Sequence, residues 1–332
     1  MLSRAEFISQ ASMAIGGLMI PEWMQTKSGK MKQDNRYDVI IIGGSYAGLA
    51  AGMALGRALR RVLIIDSGKP CNRQTPHSHN FLTQDGTPPA EIARQARKQV
   101  EVYDTVEFLN DRAITGRKTA GGFVIELSTG KEFKARKLVF ATGIKDEMPA
   151  IPGFAESWGI SVLHCPYCHG YEVRQQPIGI LANGEPAVEL ATLISNWTGN
   201  LTVYTNGTST ISREQAARFV KHGITINESV IKKIEQENGY IHNLVLRNGE
   251  KPPLKALYAR LPFVQHSGIP ASLGCEITPE GYIKTDPAQR TTVPGVFACG
   301  DSTSRMRTVA NAVSSGTATG IMLNKELIEE AF

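Results

Sequence analysis

The clearest pattern in the chain is a buried hydrophobic run that leads into a glycine-rich turn. Residues 37–42 are apolar and largely β-branched, which is typical of a strand buried on both faces of a parallel sheet. The proline-free segment 47–60 is rich in small residues and predicts a helix. Residues 62–65 predict a second strand, which ends at Asp66. The order of strand, turn, helix and strand predicts a βαβ unit.

The residue types in this turn are those that a bound dinucleotide requires. Gly43 permits the sharp turn, and Gly48 permits close packing of the helix on the strand. The helix N-terminus then offers backbone N–H groups to a pyrophosphate. Ser45 stands where the middle glycine of the pattern normally lies, and it is small enough to be tolerated there. Asp66 is placed to accept hydrogen bonds from a ribose. The predicted dinucleotide contacts are Gly43, Gly44, Ser45, Tyr46, Ala47, Gly48, Asp66 and Ser67.

A second, weaker βαβ pattern follows at residues 178–205. Residues 178–181 and 201–205 predict strands, and residues 186–197 predict the helix between them. The turn at 182–187 follows the pattern Gly-x-Gly-x-x-Ala with alanine in place of the first glycine. Glu185 puts a negative charge where phosphates would lie, and no arginine pair follows the second strand to hold a 2′-phosphate. The pattern predicts a pyridine-nucleotide fold and leaves open whether NADPH, NADH or no nicotinamide binds there.

Two cysteines three residues apart, in the sequence HCPYCHG at 164–170, allow a zinc site, a structural disulfide or a redox pair. Structural zinc needs four ligands, and no second pair of ligands exists elsewhere in the chain. A structural disulfide between Cys165 and Cys168 would close a very short loop and stabilise little. Pro166 fits the first turn of a helix, where a thiol pKa is lowered, so redox exchange is favoured. The other three cysteines are expected to be buried free thiols: Cys71, Cys275 and Cys299.

The order of these motifs resembles that of the low-molecular-weight thioredoxin reductase family, from about residue 35 to residue 332. The glycine turn is followed by Ala-Thr-Gly at 141–143, the cysteine pair, the second βαβ unit and VPGVFACGD at 293–301. The resemblance implies an α/β fold of two Rossmann-like, three-layer dinucleotide-binding domains, the second inserted into the first. The FAD domain would comprise residues 35–151 and 264–332. The pyridine-nucleotide-type domain would comprise residues 152–263 and carry the cysteine pair. The resemblance also implies a homodimer.

The same resemblance implies roles for single residues. Cys168 would face the flavin, Cys165 would exchange with substrate, and His169 would replace the family's acidic residue as acid or base. The loop at 71–86 would fold over the flavin. The motif CPYCHG resembles the branch that contains gliotoxin-type dithiol oxidases and bacterial thioredoxin reductase-like proteins. Further FAD contacts implied are Asn72, Arg73, Ala141, Thr142, Gly143, Gly300, Asp301, Arg307, Thr308 and Val309.

The implied function is that of a FAD-dependent thiol–disulfide oxidoreductase. Electrons would pass between flavin, the cysteine pair and a thioredoxin-like protein or a small-molecule disulfide or dithiol. One alternative is a dithiol oxidase that passes electrons from substrate thiols to oxygen. A second alternative is a flavin-binding redox sensor or electron-transfer protein.

Composition adds constraints on partners and location. The chain has 332 residues, 42% hydrophobic and 20% charged, and its net charge of +5 is spread without any long basic run. This mixed surface argues against nucleic-acid binding. Residues 1–34 form an N-terminal extension that resembles a degenerate twin-arginine export signal, with Ala5 where a second arginine belongs. Its apolar stretch is too broken to span a membrane, which takes about 20 apolar residues. We therefore expect no membrane association and a cytoplasmic protein, with export as the alternative.

Overall fold

The computed structural model describes residues 35–332, and the extension predicted for residues 1–34 lies outside them. The described chain contains two mainly parallel sheets with helices packed against them. The first sheet has seven strands in the order β3-β2-β1-β6-β5-β4, with a further strand, β16, paired to β6. Its strands are β1 (Arg36–Ile42), β2 (Val62–Asp66), β3 (Val106–Asn110), β4 (Ala113–Thr119), β5 (Gly122–Leu127), β6 (Glu132–Phe140) and β16 (Val296–Ala298).

The second sheet has five strands, all parallel, in the order β11-β10-β9-β14-β8. Its strands are β8 (Val162–Leu163), β9 (Ile178–Leu181), β10 (Leu201–Tyr204), β11 (Thr225–Asn227) and β14 (Ala256–Ala259). A hairpin of β12 (Ile231–Glu237) and β13 (Tyr240–Leu246) is attached to it along the chain. The second sheet therefore has the parallel order expected of another dinucleotide-type unit.

A short antiparallel pair marks where the chain leaves the first sheet and where it returns. β7 (Ile144–Asp146) follows β6, and β15 (Phe263–Gln265) precedes β16; the two strands pair with each other. The whole second sheet lies between them in the chain, so the predicted α/β class, with one Rossmann-like unit inserted into another, is confirmed. The bounds 35–151, 152–263 and 264–332 stay a proposal for the division of the domains.

Eight α-helices accompany the sheets in the described chain. They are α1 (Tyr46–Arg57), α2 (Pro89–Val100), α3 (Phe154–Ser157), α4 (Pro166–His169), α5 (Gly184–Ile194), α6 (Arg213–Lys221), α7 (Ile269–Ser272) and α8 (Val309–Glu329). The helix predicted at 186–197 begins two residues earlier than expected. Asn183 is the reason, because its side chain accepts a hydrogen bond from the backbone N–H of Gly184 and caps the helix there.

Helices α1 and α8 pack so closely that one residue between them has to lack a side chain. A Cβ on Gly316 of α8 would lie 2.1 Å from the carbonyl oxygen of Ala47 in α1. At the far end of the contact, Arg60 Nε donates a 2.6 Å hydrogen bond to Asn324 Oδ1. The C-terminal helix is thereby fixed against the first glycine-rich turn.

The carboxyl ends of β1, β6 and β16 meet at one edge of the first sheet. Ala141 N donates to Ile42 O at 2.8 Å, and Cys299 N donates to Phe140 O at 3.0 Å. The three segments that the sequence motifs singled out, which follow these strands, therefore lie side by side. Among residues 35–332, no helix is long and apolar enough to cross a membrane.

Candidate functional site

A cavity of about 1050 Å³ opens at this edge of the first sheet. Ligands of open α/β sheets bind outside the carboxyl ends of the strands, which is where the cavity lies. It is lined by all but two of the predicted cofactor contacts, namely Gly43, Gly44, Ser45, Tyr46, Ala47, Asp66, Ser67, Asn72, Ala141, Thr142, Gly143, Gly300, Asp301, Arg307, Thr308 and Val309. The two that do not line it are Gly48 and Arg73.

The first glycine turn has the close contacts that the sequence predicts. Gly43 has a φ of +104°, and a Cβ there would lie 2.2 Å from the carbonyl oxygen of Ala141. A Cβ on Gly48 would lie 1.8 Å from the carbonyl oxygen of Gly43. Gly48 therefore allows the helix to pack against the turn and does not line the cavity. Ser45 begins α1 without a side-chain hydrogen bond to the helix. The N–H groups of the first turn are therefore available to an anion in the cavity.

Arg307 forms a buried ion pair that the sequence motifs did not predict. Its guanidinium donates to both carboxylate oxygens of Asp146, at 2.7 and 2.8 Å. Its Nε lies 3.8 Å from Asp301 Oδ2. Burial raises the pKa of the Asp301 carboxyl to about 6, although the charge on Arg307 lowers it in part. Asp301 and Arg307 thus share one wall of the cavity, and Asp146 holds the Arg307 side chain in place.

Cys71 faces the same wall and differs from the sequence expectation. Cys275 and Cys299 are buried free thiols, as predicted, whereas Cys71 is exposed and lines the cavity. Its Sγ lies 3.8 Å from Asp301 Oδ2. The surrounding protein atoms and the Asp301 charge raise the pKa of the thiol to about 12, so the sulfur stays protonated at neutral pH. The prediction of a buried Cys71 is wrong because the loop turns this side chain into the cavity.

The loop at 71–86 is tied to the cavity through its first residues. Asn72 Nδ2 donates a 3.3 Å hydrogen bond to the hydroxyl of Tyr46, which in turn donates to the carbonyl of Pro89. Arg73 instead donates to the carbonyl of Pro70 at 3.1 Å and is exposed. Asn72 therefore lies where the sequence predicts a contact, and Arg73 does not reach the cavity.

The cysteine pair is a disulfide at the start of helix α4. Cys165 and Cys168 are bonded to each other, and Cys165 Sγ accepts a hydrogen bond from the backbone N–H of Cys168 at 3.2 Å. Pro166 occupies the first helical position, as predicted. Gly170 lets the indole of Trp197 pack against the backbone, because a Cβ there would lie 2.9 Å from the ring. Residues 35–332 contain no group of three or more His, Cys, Asp or Glu side chains arranged to hold a metal.

Two histidines flank the disulfide, and both line the large cavity. Burial, with a smaller effect from the charge of His79, lowers the pKa of His169 to about 4. Burial lowers the pKa of His164 to about 3, and the nearby charge of Arg307 acts in the same direction. Both rings are therefore neutral at pH 7. His164 Nε2 is buried and lacks a hydrogen-bond partner. Sequence reasoning assigned no role to His164, since a histidine beside a cysteine pair carries no specific signal.

The second glycine turn is closed by its own chain. Asn183 Oδ1 accepts from Thr210 N at 2.8 Å and from Thr210 Oγ1 at 3.1 Å, and Asn183 Nδ2 donates to Thr208 O at 2.8 Å. Glu185 Oε2 accepts from Gln215 Nε2 at 2.7 Å. The N–H of Gly184 is already bonded to Asn183 Oδ1. The polar groups of this turn are therefore already hydrogen-bonded within the chain, and a carboxylate lies beside them.

Comparison with known proteins agrees with this geometry. The profile of the pyridine nucleotide-disulphide oxidoreductase family matches residues 37–316. A thioredoxin reductase of Aspergillus oryzae, aclD, is 32% identical over 88% of this chain and 96% of its own. A thioredoxin reductase of Claviceps purpurea, tcpT, is 33% identical over 90% of this chain and 97% of its own. An oxidoreductase from Agrobacterium tumefaciens, known from its crystal structure, is 37% identical in sequence and superimposes with a TM-score of 0.83. The match covers 89% of this chain and 99% of the Agrobacterium chain.

The chain belongs to the pyridine nucleotide-disulphide oxidoreductase family and resembles its thioredoxin reductases, as the motif order predicts. It is a FAD-dependent thiol–disulfide oxidoreductase, with Cys165 and Cys168 as the disulfide at its redox centre. Its substrates are accordingly disulfides or the corresponding dithiols.

The two cofactors implied by the family differ in how well this chain fits them. The first cavity fits FAD, because it is large, ends at an uncapped helix N-terminus and is lined by residues with buried polar atoms that have no hydrogen-bond partner, Thr142 Oγ1 and Arg307 Nε. The second turn fits a nicotinamide dinucleotide less well, since Asn183 already caps its helix N-terminus and Glu185 places a carboxylate in the first turn of that helix. In addition, β10 is followed by Thr205-Asn206-Gly207 rather than by arginines.

Proposed function

We propose that this enzyme takes electrons from a dithiol substrate rather than from NADPH. The observation that carries the proposal is the closure of the second turn by Asn183, Thr210 and Glu185. A phosphate entering this turn would have to displace several hydrogen bonds and approach a carboxylate. The lost hydrogen bonds and the repulsion between carboxylate and phosphate both weaken the binding of NADPH. Electron flow from substrate thiols to the flavin needs no such site.

FAD would be held by the residues that line the first cavity. The N-terminus of α1, at Ser45 to Ala47, would bind the pyrophosphate, and Asp66 would bind the adenosine ribose. Asp301 would bind the ribityl chain, and the backbone at Arg307 to Val309 would face the pyrimidine edge of the flavin. When bound, FAD would be the two-electron acceptor for the protein dithiol, and we propose oxygen as the terminal electron acceptor.

For the exchange reaction we propose the roles that the family resemblance implies for Cys165 and Cys168. One substrate thiolate attacks Cys165 Sγ, the bond between Cys165 and Cys168 breaks, and Cys168 leaves as a thiolate. The second substrate thiolate then attacks the mixed disulfide and releases Cys165, which takes up one proton. The substrate has lost two electrons and two protons, the protein disulfide has gained two electrons, and the second proton leaves the site.

We propose that His169 accepts that proton. His169 directly follows Cys168 in the sequence. Its ring is neutral at pH 7, because burial lowers its pKa to about 4. A neutral imidazole can accept a proton from an arriving thiol, whereas an imidazolium could not. The N-terminus of α4 favours the negative charge that develops on the sulfurs, since Cys165 Sγ already accepts the backbone N–H of Cys168.

Further properties rest on the family resemblance. The names of the relatives support a thioredoxin-like protein or a small-molecule disulfide or dithiol as the partner. We also propose a homodimer, which gel filtration with light scattering would detect, and a location in the cytoplasm.

An anaerobic titration of the FAD-loaded protein separates the directions of electron flow. We expect dithiothreitol to bleach the flavin absorbance at stoichiometric amounts, and NADPH or NADH to leave it unchanged. Air should restore the absorbance and allow repeated turnover. The matched control is Cys168→Ser, in which dithiothreitol should no longer bleach the flavin. Rapid bleaching by stoichiometric NADPH would overturn the proposal in favour of a reductase, and bleaching without turnover in air would favour a redox sensor.

A further inference from the structure

Two exposed tyrosines lie beside the redox disulfide. Tyr167 belongs to helix α4 and directly precedes Cys168, so their Cα atoms are about 3.8 Å apart. Tyr171 follows in the tight turns after this helix. Tyr167 is 62% exposed and Tyr171 is 66% exposed. Single apolar side chains at a surface need no explanation, but two aromatic rings next to a reactive centre mark an interaction surface.

Both tyrosine rings are held in place by their neighbours. Tyr167 meets Trp197 at right angles, with the ring centroids 5.5 Å apart. Trp197 is itself packed against the backbone at Gly170, where a Cβ would lie 2.9 Å from the indole. The guanidinium of Arg174 lies 3.8 Å from the centroid of the Tyr171 ring and also donates to the Tyr171 carbonyl. Rings ordered in this way lose little conformational freedom when a ligand contacts them. The two tyrosines therefore form a pre-ordered tyrosine surface.

The tyrosine surface lies outside the flavin cavity. His164 and His169 of the redox segment line the cavity, whereas the two tyrosines and the two cysteines do not. The cysteines are only half-buried and remain accessible. FAD would fill the cavity, so a substrate has to approach the disulfide from outside it. A substrate bonded to Cys165 is then within one helical turn of Tyr167.

The size of the tyrosine surface determines which kind of substrate it suits. An aromatic side chain buries about 150–250 Å², so two rings that are about two-thirds exposed offer roughly 200–300 Å². A stable protein–protein interface takes about 800 Å² from each partner. The exposed residues that follow in the same turns are polar, namely Glu172, Gln175 and Gln176. The surface therefore matches the body of a small molecule and is too small for the apolar core of a protein interface.

A small contact of this kind is sufficient because the substrate is also held covalently. The mixed disulfide with Cys165 joins the substrate to the enzyme, and the rings have only to orient the body that carries the sulfurs. Aromatic rings contact one another most favourably in stacked or edge-on geometry, whereas a hydroxylated body keeps its water. The surface thus favours one class of dithiol over another.

We propose that Tyr167 and Tyr171 select dithiol substrates whose two sulfurs are carried by an aromatic body. The inference rests on the proposed oxidation of a dithiol and adds the substrate class and the residues that recognise it. The sulfur chemistry is that of the exchange reaction above. The substrate loses two electrons and two protons as its disulfide forms, and the bond between Cys165 and Cys168 takes up the two electrons.

The test compares three dithiols that each have four carbons between their sulfurs. They are dithiothreitol, with a hydroxylated body, 1,4-butanedithiol, with an apolar body, and 1,2-benzenedimethanethiol, with an aromatic body. The rate constant for anaerobic bleaching of the flavin in the FAD-loaded protein is divided by the rate of the same dithiol with oxidised glutathione in solution. This ratio removes differences in thiol reactivity. We expect the aromatic dithiol to exceed dithiothreitol by about threefold to tenfold, which is what one aromatic contact contributes, with butanedithiol between them.

Variants of the tyrosine surface should change this preference. Tyr167→Ala should bring the normalised rates of the three dithiols close together, and Tyr171→Ala should reduce the preference by a smaller factor. Tyr167→Phe retains the ring and should keep the preference. Tyr240→Ala is the matched control, because Tyr240 is 49% exposed on strand β13, and it should leave all three rates unchanged.

Equal normalised rates for the three dithiols in the original protein would overturn the proposal without recourse to a variant. The same holds if Tyr167→Ala slows all three by one factor, because the ring would then only support helix α4. If reduced thioredoxin reacts faster than every small dithiol and Tyr167→Ala slows it, the surface serves a protein and the proposal is wrong. If no dithiol bleaches the flavin in the original protein, the proposed function itself fails, and the substrate preference fails with it.

Discussion

Arg307 binds Asp146 through two parallel hydrogen bonds, so that the segment before α8 is joined to strand β7. The two side chains are only 13% and 7% exposed. Asp146 lies where the chain leaves the first sheet, and Arg307 lies where the C-terminal helix begins. The pair therefore ties strand β7 to the segment before α8, and Arg307 lines the cavity.

Asp146→Ala should lower both stability and FAD retention. Removal of one partner leaves the guanidinium of Arg307 buried without its carboxylate, which typically costs about 3 kcal/mol. Urea unfolding measures the loss, and flavin content after gel filtration measures retention. Glu276→Ala is the control, since its ion pair with Lys284 is more than half exposed. A loss below about 1 kcal/mol in Asp146→Ala, as expected only for an exposed pair, would contradict this account.

Asp301→Asn should stabilise the protein without FAD and weaken FAD binding. An aspartate ionises near pH 3.8 in the unfolded chain and at about pH 6 here. The folded state therefore binds more protons between these values, and its stability falls as pH rises through that range. At pH 7 the neutral amide should add roughly 2 kcal/mol to the unfolding free energy of the apoprotein. Loss of the charged acceptor should raise the FAD dissociation constant about tenfold. Calorimetry of the apoprotein and fluorescence titration with FAD measure the two effects, and equal stability at pH 7 would count against the buried charge.

Mild acid should destabilise the fold through His164 and His169. Their pKa values are about 3 and about 4 in the folded protein, whereas an unfolded histidine ionises near 6.5. The unfolded state therefore binds more protons below pH 6.5, and stability is lost as pH falls. Each ring should remove about 2 kcal/mol from the unfolding free energy between pH 6.5 and pH 5.

Urea unfolding at several pH values, with His169→Gln for comparison, checks this pH dependence. The variant should lose about 2 kcal/mol less than the original protein over the same interval. His242→Gln is the control, because the side chain of His242 is 58% exposed. Identical pH profiles for His169→Gln and the original protein would show that His169 is not buried in the neutral form.

Gly316→Ala should destabilise the protein although alanine is the better helix former. The added Cβ would lie 2.1 Å from the carbonyl oxygen of Ala47, so α8 has to move away from α1. Overpacking of this kind costs about 2 kcal/mol. Ser314→Ala, at an exposed position on the same helix, should be neutral or slightly stabilising. The midpoint of thermal unfolding compares the two, and a Gly316→Ala protein as stable as the original would show that the helices are not held this closely.

The local motifs were predictable because each is contained in a short stretch of sequence. Strand β9 has the predicted bounds, and the glycine turn at 43–48 lies at the carboxyl edge of its sheet. The spacing of hydrophobic residues and the residue types in the turn determine such features, and the rest of the chain is not needed to predict them. Helix ends were less accurate: α1 ends at Arg57 rather than at residue 60 because the backbone at Leu59 is left-handed, with a φ of +59°.

Contacts between distant segments were not predictable from one sequence. Nothing near Asp146 signals that Arg307, 161 residues later, supplies its partner. The same holds for Thr210, whose contact with Asn183 closes the second turn, although Glu185 and the missing arginines already counted against a phosphate there. Arg73, predicted to contact FAD, is not among the residues that line the cavity, and a cation in a polar loop gives no information on where its side chain points.

The close contact of α8 with α1 also sets an order of events during synthesis. The glycine turn at 43–48 is synthesised before the whole second sheet, whereas Val309 and Ala312, which complete the lining of the cavity, are synthesised after it. Until α8 docks at Ala47, the nascent chain has only part of its flavin cavity. The cavity is therefore complete only after the second sheet has been synthesised, and a product that ends before α8 would lack part of its lining.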